Sequence, residues 1–129
     1  MVAAVAVASM MIPYQMPELD PLCACRDGFS PALVELAVRY PNDRLALISS
    51  LQDATISNYY GESGPAFQND LLSLATDVID EIPSAHYFYV PGTRHTFLLS
   101  GPATGIAQGV DLVTWLGEQI DDSAGWVSE

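Results

Sequence analysis

Two short apolar runs, separated by a helix-length segment, constrain the fold of this chain most strongly. The first is RLALIS at residues 44–49 and the second is HYFYV at residues 86–90. The first run does not alternate cleanly between apolar and polar residues, which is typical of a strand covered on both faces. A helix between two such strands indicates a right-handed crossover and a parallel sheet. The sequence therefore predicts an α/β fold.

Three segments around these strands have apolar residues at helical spacing. They are SPALVELAVRYP at 30–41, AFQNDLLSLATDVIDEIP at 66–83 and VDLVTWLGEQI at 110–120. In the first, Ser30 is the expected N-cap and Pro31 suits the first turn. The residues expected to face the core are Leu33, Leu36, Ala37, Tyr40, Phe67, Leu71, Leu74, Ala75, Val78, Ile82, Leu112, Trp115, Leu116 and Ile120. The predicted order is helix–strand–helix–strand–helix.

The 129 residues have the length of one domain or less. Residues 1–31 combine an apolar start with a Pro- and Gly-rich connection, and residues 32–129 contain the predicted helices and strands. Two strands do not form a stable sheet when both faces are to be covered. Either the N-terminal apolar run supplies a third strand, or residues 32–129 are the C-terminal part of a larger α/β domain.

The charge balance argues against two classes of partner. Four arginines, no lysine and sixteen carboxylates give a net charge of −12. Binding to a phosphate backbone requires clustered Lys and Arg, and so does binding to an anionic membrane surface. The carboxylates are spread along the chain, which indicates a solvated acidic surface. We expect neither a nucleic-acid nor a membrane partner.

The N-terminal segment allows more than one interpretation. Residues 1–12 suit the core of a signal peptide by their small apolar side chains, but the positively charged start of such a peptide is absent. The alternative is a buried strand or helix. Cys23 and Cys25 would form a strained bridge with each other, and a metal bound to them would lack obvious further ligands. Free or intermolecularly bridged cysteines are expected there, and we predict neither a metal nor a cofactor.

Asp53 and His95 follow the two predicted strands. In an open parallel sheet, ligands gather outside the carboxyl ends of the strands, so both side chains are expected at one edge. A carboxylate can accept the Nδ1 hydrogen of an imidazole, fix its tautomer and stabilise the imidazolium. The acid also precedes the histidine along the chain, as in α/β-hydrolases. The sequence predicts a catalytic Asp53–His95 pair.

Simpler roles exist for the same residues. Asp53 precedes ATISNYY and can be the N-cap of a short helix, and a histidine in a loop is often solvated or structural. His86 begins its strand and is expected at the opposite end of the sheet. The nucleophile elbow G-x-S-x-G is absent: YGESGPA matches at Gly61 and Ser63 but has Pro65 at the last glycine position, and no strand precedes it.

The segments YPNDRLALISSLQDATISNYYG and YFYVPGTRHTFLLSGPATGIAQGVDLVTWLGEQIDD resemble the C-terminal part of the pectin acetylesterase-like branch of the α/β-hydrolases, which includes the Notum-type carboxylesterases. Members have a strand ending near S-x-Q-D, a later strand leading to a G-x-x-H-T-[FW]-L turn, and a final helix of the GV-L-x-x-W type. The resemblance covers roughly residues 38–122.

This resemblance implies a role for each matching residue. Asp53 would be the triad acid and His95 the general base, while Gly92, Thr96 and Phe97 would shape the turn. It implies half of an α/β-hydrolase, a partial parallel sheet with flanking helices, acting on a small-molecule or polysaccharide ester outside the cell or in the periplasm. The serine and the oxyanion loop of the family lie upstream, and this chain contains neither. The chain alone is therefore expected to be nearly inactive.

A non-enzymatic alternative uses the same edge of the sheet. The chain would be a small acidic α/β module that binds a ligand or a protein partner. Its contact surface would consist of Tyr59, Tyr60 and Phe97.

Overall fold

The computed structural model describes residues 3–4, 29–95 and 104–129. The predictions for Cys23 and Cys25, for Thr96 and Phe97, and for residues 1–12 apart from Ala3–Ala4 lie outside the described residues. Within the described ranges, no helix has both the length and the apolar character needed to cross a membrane.

Strands β1 (Ala3–Ala4), β2 (Leu45–Ser50) and β3 (Ala85–Val90) form a parallel sheet in that order. Strands β2 and β3 are paired along their whole length, from Leu45 opposite Ala85 to Ser50 opposite Val90. The N-terminal apolar run contributes a short third strand through β1. The predicted parallel α/β arrangement is confirmed.

Four α-helices and a small hairpin complete the described part of the chain. The helices are α1 (Phe29–Arg39), α2 (Ala54–Tyr60), α3 (Gly64–Asp77) and α4 (Leu112–Ile120), a 3₁₀ turn spans Ile79–Glu81, and strands β4 (Ile106–Ala107) and β5 (Val110–Asp111) pair antiparallel. The crossover from β2 to β3 therefore consists of α2, α3 and the 3₁₀ turn.

Apolar clusters cover both faces of the sheet. On one face, β2 and β3 pack against α1 and α3 through Ala32, Leu33, Leu36, Leu45, Leu47, Phe67, Leu71, Ala75, Ile79, Ala85 and Tyr89. On the other face they pack against α4 and the C-terminal segment through Ala46, Phe88, Val90, Ala107, Leu112, Trp115 and Trp126. The first residues of β2 contribute to both clusters in turn, which explains why this run lacks polar alternation.

Helix α1 differs from the prediction at both ends. It begins at Phe29, so Ser30 lies within the first turn and is not the N-cap. Leu33 and Leu36 are buried as predicted, but Tyr40 is exposed because it follows the last helical residue, Arg39. The predicted core position of Tyr40 is therefore wrong.

Helix α3 begins earlier than predicted. Ser63 is its N-cap and accepts a hydrogen bond from the Ala66 amide at 3.3 Å, which places Gly64 and Pro65 in the first turn rather than in a loop. The serine that matches part of a nucleophile elbow therefore has a capping role. The predicted core positions Phe67, Leu71 and Ala75 are buried, and Leu74, Val78 and Ile82 pack partly buried beside them.

Helix α4 is shorter than predicted because its first two expected residues, Val110 and Asp111, pair with β4. Leu112 and Trp115 are buried as predicted, whereas Ile120 is 69% exposed. Gln119 is buried instead, and its amide donates to the Arg44 carbonyl at 3.2 Å. The predicted core position of Ile120 is therefore wrong.

The C-terminal segment is held against β3 and α4. The Glu129 amide donates to the Tyr87 carbonyl at 2.9 Å, and the Tyr89 amide donates to the Glu129 carbonyl at 2.8 Å. The Trp115 indole donates to the Val127 carbonyl at 2.6 Å. Trp115 thereby joins the core to the last residues of the chain.

His86 lies at the amino end of β3, as expected, on the edge of the sheet opposite to His95. It lines an open pocket of about 330 Å³ together with Arg44 and Trp126. Its ring stands edge-on to the Trp126 ring at 4.5 Å. Burial lowers the pKa of His86, the Arg44 guanidinium lowers it further, and Asp80 partly opposes them.

We expect Trp115→Ala to lower the free energy of unfolding by about 3–5 kcal/mol, because it removes a fully buried indole and leaves a cavity. Val113→Ala is the matched control: Val113 is on the same helix but 51% exposed, so its loss should cost less than about 0.5 kcal/mol. Urea unfolding measures both. Equal costs for the two variants would contradict the placement of α4.

We expect His86→Phe to weaken the pH dependence of stability. The folded protein disfavours the His86 imidazolium, so the unfolded chain binds a proton more readily once the pH falls below 6.5, the ordinary pKa of this side chain. The contribution of His86 is therefore present above that pH and is lost as the pH falls towards its lowered pKa. Urea unfolding between about pH 8 and pH 5 should show a smaller loss of stability in the variant, and identical slopes would refute the prediction.

Candidate functional site

The loops that follow β2 and β3 are joined by backbone hydrogen bonds. These bonds continue the parallel pairing past the ends of the strands and hold the two loops at one edge of the sheet. They run from the amides of Leu51, Gln52 and Ala54 to the carbonyls of Val90, Gly92 and Thr93, at 2.9, 2.9 and 3.0 Å.

Asp53 is the N-cap of α2. Its Oδ1 accepts hydrogen bonds from the amides of Thr55 and Ile56, both at 2.9 Å. The alternative role that the sequence indicated for Asp53, as the N-cap of a short helix, is therefore confirmed. The cap keeps the carboxylate in one orientation at the carboxyl end of β2.

The second oxygen of the same carboxylate contacts His95. Asp53 Oδ2 lies 2.9 Å from His95 Nδ1, a hydrogen-bonding distance. The Asp53 side chain is 5% exposed and the His95 side chain is 33% exposed, so a buried acid meets a partly open imidazole. The two side chains are therefore in contact at one edge of the sheet, as expected. Their catalytic role stays a prediction.

The turn before His95 depends on a glycine. Gly92 has φ of +116°, in the region that side chains other than glycine rarely adopt. Its carbonyl accepts the Gln52 amide, so this conformation also joins the two loops. The positive φ of Gly92 shapes the turn before His95, and the link of this turn to the hydrolase family stays a prediction.

A glutamine pair supports the Asp53 loop from α3. Gln52 Nε2 donates to Gln68 Oε1 at 2.9 Å. A Cβ on Gly64 would lie 3.1 Å from the Gln52 Cβ, so the first turn of α3 packs closely against this loop. Sequence reasoning gave no role to Gln52, although it is part of the S-x-Q-D match, and missed Gly64 and Gln68, because a contact between two glutamines in different elements has no local signature.

Ser50 was also missed. It is the last residue of β2, and its hydroxyl donates to the Arg94 carbonyl at 2.5 Å, next to His95. The available signal is that Ser50 is the serine of the S-x-Q-D match at residues 50–53, in which only Asp53 was assigned a role.

The pair has a defined chemical capacity. When Nδ1–H donates to Asp53, the lone pair of His95 is on Nε2, where it can take a proton from a hydroxyl group or a water molecule. The imidazolium that results is stabilised by the adjacent carboxylate. Within the described ranges, no group of three or more His, Cys, Asp or Glu side chains could hold a metal ion.

We expect Asp53→Asn and Asp53→Ala to separate the two roles of the carboxylate. Asparagine keeps an oxygen for the cap, whereas alanine removes it, so Asp53→Ala should be less stable than Asp53→Asn by about 1 kcal/mol. Asp53→Ala should lose the downfield proton NMR signal of a histidine Nδ1–H bound to a carboxylate, and in Asp53→Asn the signal should shift upfield, because an amide oxygen is a weaker acceptor than a carboxylate. Urea unfolding and one-dimensional proton NMR test these outcomes.

Asp111 provides the matched control. It caps α4 by accepting the Thr114 amide at 2.9 Å, and its other oxygen accepts the Thr114 hydroxyl rather than a histidine. Asp111→Ala should lose cap stability and keep the downfield signal. If the signal survives in Asp53→Ala, which leaves no acceptor at this position, the contact with His95 does not exist in solution.

No protein-family model matches the chain, and neither a curated protein nor a solved structure shows significant similarity to it. The contact between Asp53 and His95 is therefore the observation that bears most directly on the function of this chain.

Proposed function

We propose that Asp53 and His95 are the acid–base pair of a serine carboxylic-ester hydrolase of the pectin acetylesterase-like type. The observation that supports this most is the 2.9 Å contact between Asp53 Oδ2 and His95 Nδ1. In this function Asp53 orients the imidazole, and His95 transfers the proton through Nε2.

The reaction takes place in two stages. In the first, His95 accepts the proton of a serine hydroxyl as its oxygen attacks the ester carbonyl, and then gives that proton to the departing alcohol. In the second, a water molecule loses a proton to His95 and attacks the acyl-enzyme, and the proton returns to the serine. The net change is hydrolysis of one ester bond, and the histidine ends in its starting state.

The proposal extends to the fold. Asp53 follows one strand of a parallel pair and His95 follows its neighbour, which is the chain order of the last two triad members in α/β-hydrolases. We therefore assign residues 32–129 to the C-terminal half of such a domain. A small-molecule or polysaccharide ester is the proposed substrate, and an extracellular or periplasmic location follows from the same resemblance.

The nucleophile must come from another polypeptide segment. The sequence contains no G-x-S-x-G, and the partial match at Ser63 is used as the N-cap of α3. A segment with the strand–G-x-S-x-G–helix pattern, encoded in frame upstream of this chain, would supply the serine. The chain by itself should show almost no ester hydrolysis, because it lacks the G-x-S-x-G serine that His95 would activate.

We expect His95→Ala to lower kcat/KM for an acetyl ester by roughly 10⁴-fold or more in an enzyme that joins this chain to its serine-bearing segment. The free energy of unfolding should change by less than about 1 kcal/mol, because His95 is at the rim of the sheet. His86→Ala is the matched control and should keep the wild-type rate, since it lies at the opposite edge. Normal turnover in His95→Ala would end the catalytic assignment.

A second candidate function is supported by two exposed aromatic rings. Tyr59 and Tyr60, at the end of α2, are 51% and 42% exposed, and their centroids are 5.4 Å apart in an edge-to-face arrangement. Such rings favour a module that binds a ligand or protein partner. In that case Tyr59→Ala would weaken binding of the partner, whereas His95→Ala would leave binding unchanged and no upstream serine segment would be found.

A further inference from the structure

We propose that Ser50 is a positioning residue that holds His95 in register with Asp53. This inference rests on the proposed function, because it concerns the alignment of the same acid–base pair. Ser50 would act through the backbone of the His95 segment and would touch neither substrate nor the reacting atoms.

The first observation is the burial of a polar side chain at the rim of the sheet. Ser50 is fully buried, although it is the last residue of β2 and precedes the loop that carries Asp53. A buried hydroxyl is stable only when it is hydrogen-bonded. Its partner is the Arg94 carbonyl at 2.5 Å, so this bond fixes the peptide group that leads directly into His95.

The second observation is how far the backbone bonds reach. In the described part of the chain, the bonds between the two loops extend from the Leu51 amide to Val90 and from the Ala54 amide to Thr93. The Ser50 hydroxyl reaches one residue further, to Arg94. The Ser50 hydroxyl therefore contacts the His95 loop one residue beyond the last of these backbone bonds.

These contacts attach His95 to β2 at two points. Asp53 holds the ring through Nδ1, and Ser50 holds the preceding peptide; Ser50 is the last residue of β2, and Asp53 lies in the loop that follows it. Fixing the backbone as well as the ring restricts the direction in which Nε2 points. Because catalysis by a general base is sensitive to shifts of about 1 Å, loss of Ser50 should reduce the rate of chemistry more than substrate binding.

The first test uses this chain alone. In Ser50→Ala the downfield Nδ1–H signal of His95 should be lost or exchange much faster with water than in the wild type. Ser50→Cys, which fills similar space with a weaker donor, should give an intermediate result. Ser49→Ala is the matched control: its hydroxyl donates to the Ser50 carbonyl at 3.0 Å, within the same strand, and its loss should leave the signal unchanged.

The second test uses the enzyme joined to its serine-bearing segment. Ser50→Ala should lower kcat about 10- to 100-fold with little change in KM, whereas Ser49→Ala should keep both. An unchanged Nδ1–H signal in a folded Ser50→Ala protein would overturn the positioning role, whatever the rate of hydrolysis. A signal lost in Ser50→Ala, together with a joined wild-type enzyme that cleaves no ester, would support the positioning of His95 and overturn the hydrolase function instead.

Discussion

The in-register parallel pairing of β2 with β3 is the constraint on which the rest of the structure depends. Because Ser50 is opposite Val90, the two strands finish together and their loops leave from the same edge of the sheet. The backbone bonds past the strand ends then bring Asp53 and His95 to within 2.9 Å of each other. A shift of the register would move the two loops apart and turn the buried faces of β3 away from the helices that cover them.

Much of this arrangement could be predicted from local sequence patterns. Unalternating apolar runs indicated the two long strands, helical periodicity indicated α1, α3 and α4, and the chain order of acid and histidine indicated the pairing of Asp53 with His95. The features that the sequence did not predict depend on tertiary contacts. Gln119 is buried because it meets the Arg44 carbonyl, and Ser50 because it meets Arg94; each pair is distant in sequence, so no local pattern shows it.

The Asp53 carboxylate joins the stability of the fold to the chemistry of the site. One oxygen accepts two amides of α2 and the other contacts the imidazole, so the helix cap and the orientation of His95 depend on the same group. If separate residues capped α2 and oriented His95, either one could be replaced without affecting the function of the other residue. Here the N-cap and the proposed acid are not alternatives, and the cap helps to preorganise the acid.

The hydrogen bonds between Glu129 and β3 also affect whether other protein molecules can pair with the edge of the sheet. The outer edge of a sheet offers unpaired amides and carbonyls that another molecule can use as a template. Here the groups of Tyr87 and Tyr89 that such a molecule would need are already bonded to Glu129 of the same chain. The protein thus protects the outer side of β3, the aromatic strand at one edge of the three-stranded sheet, from intermolecular β-pairing.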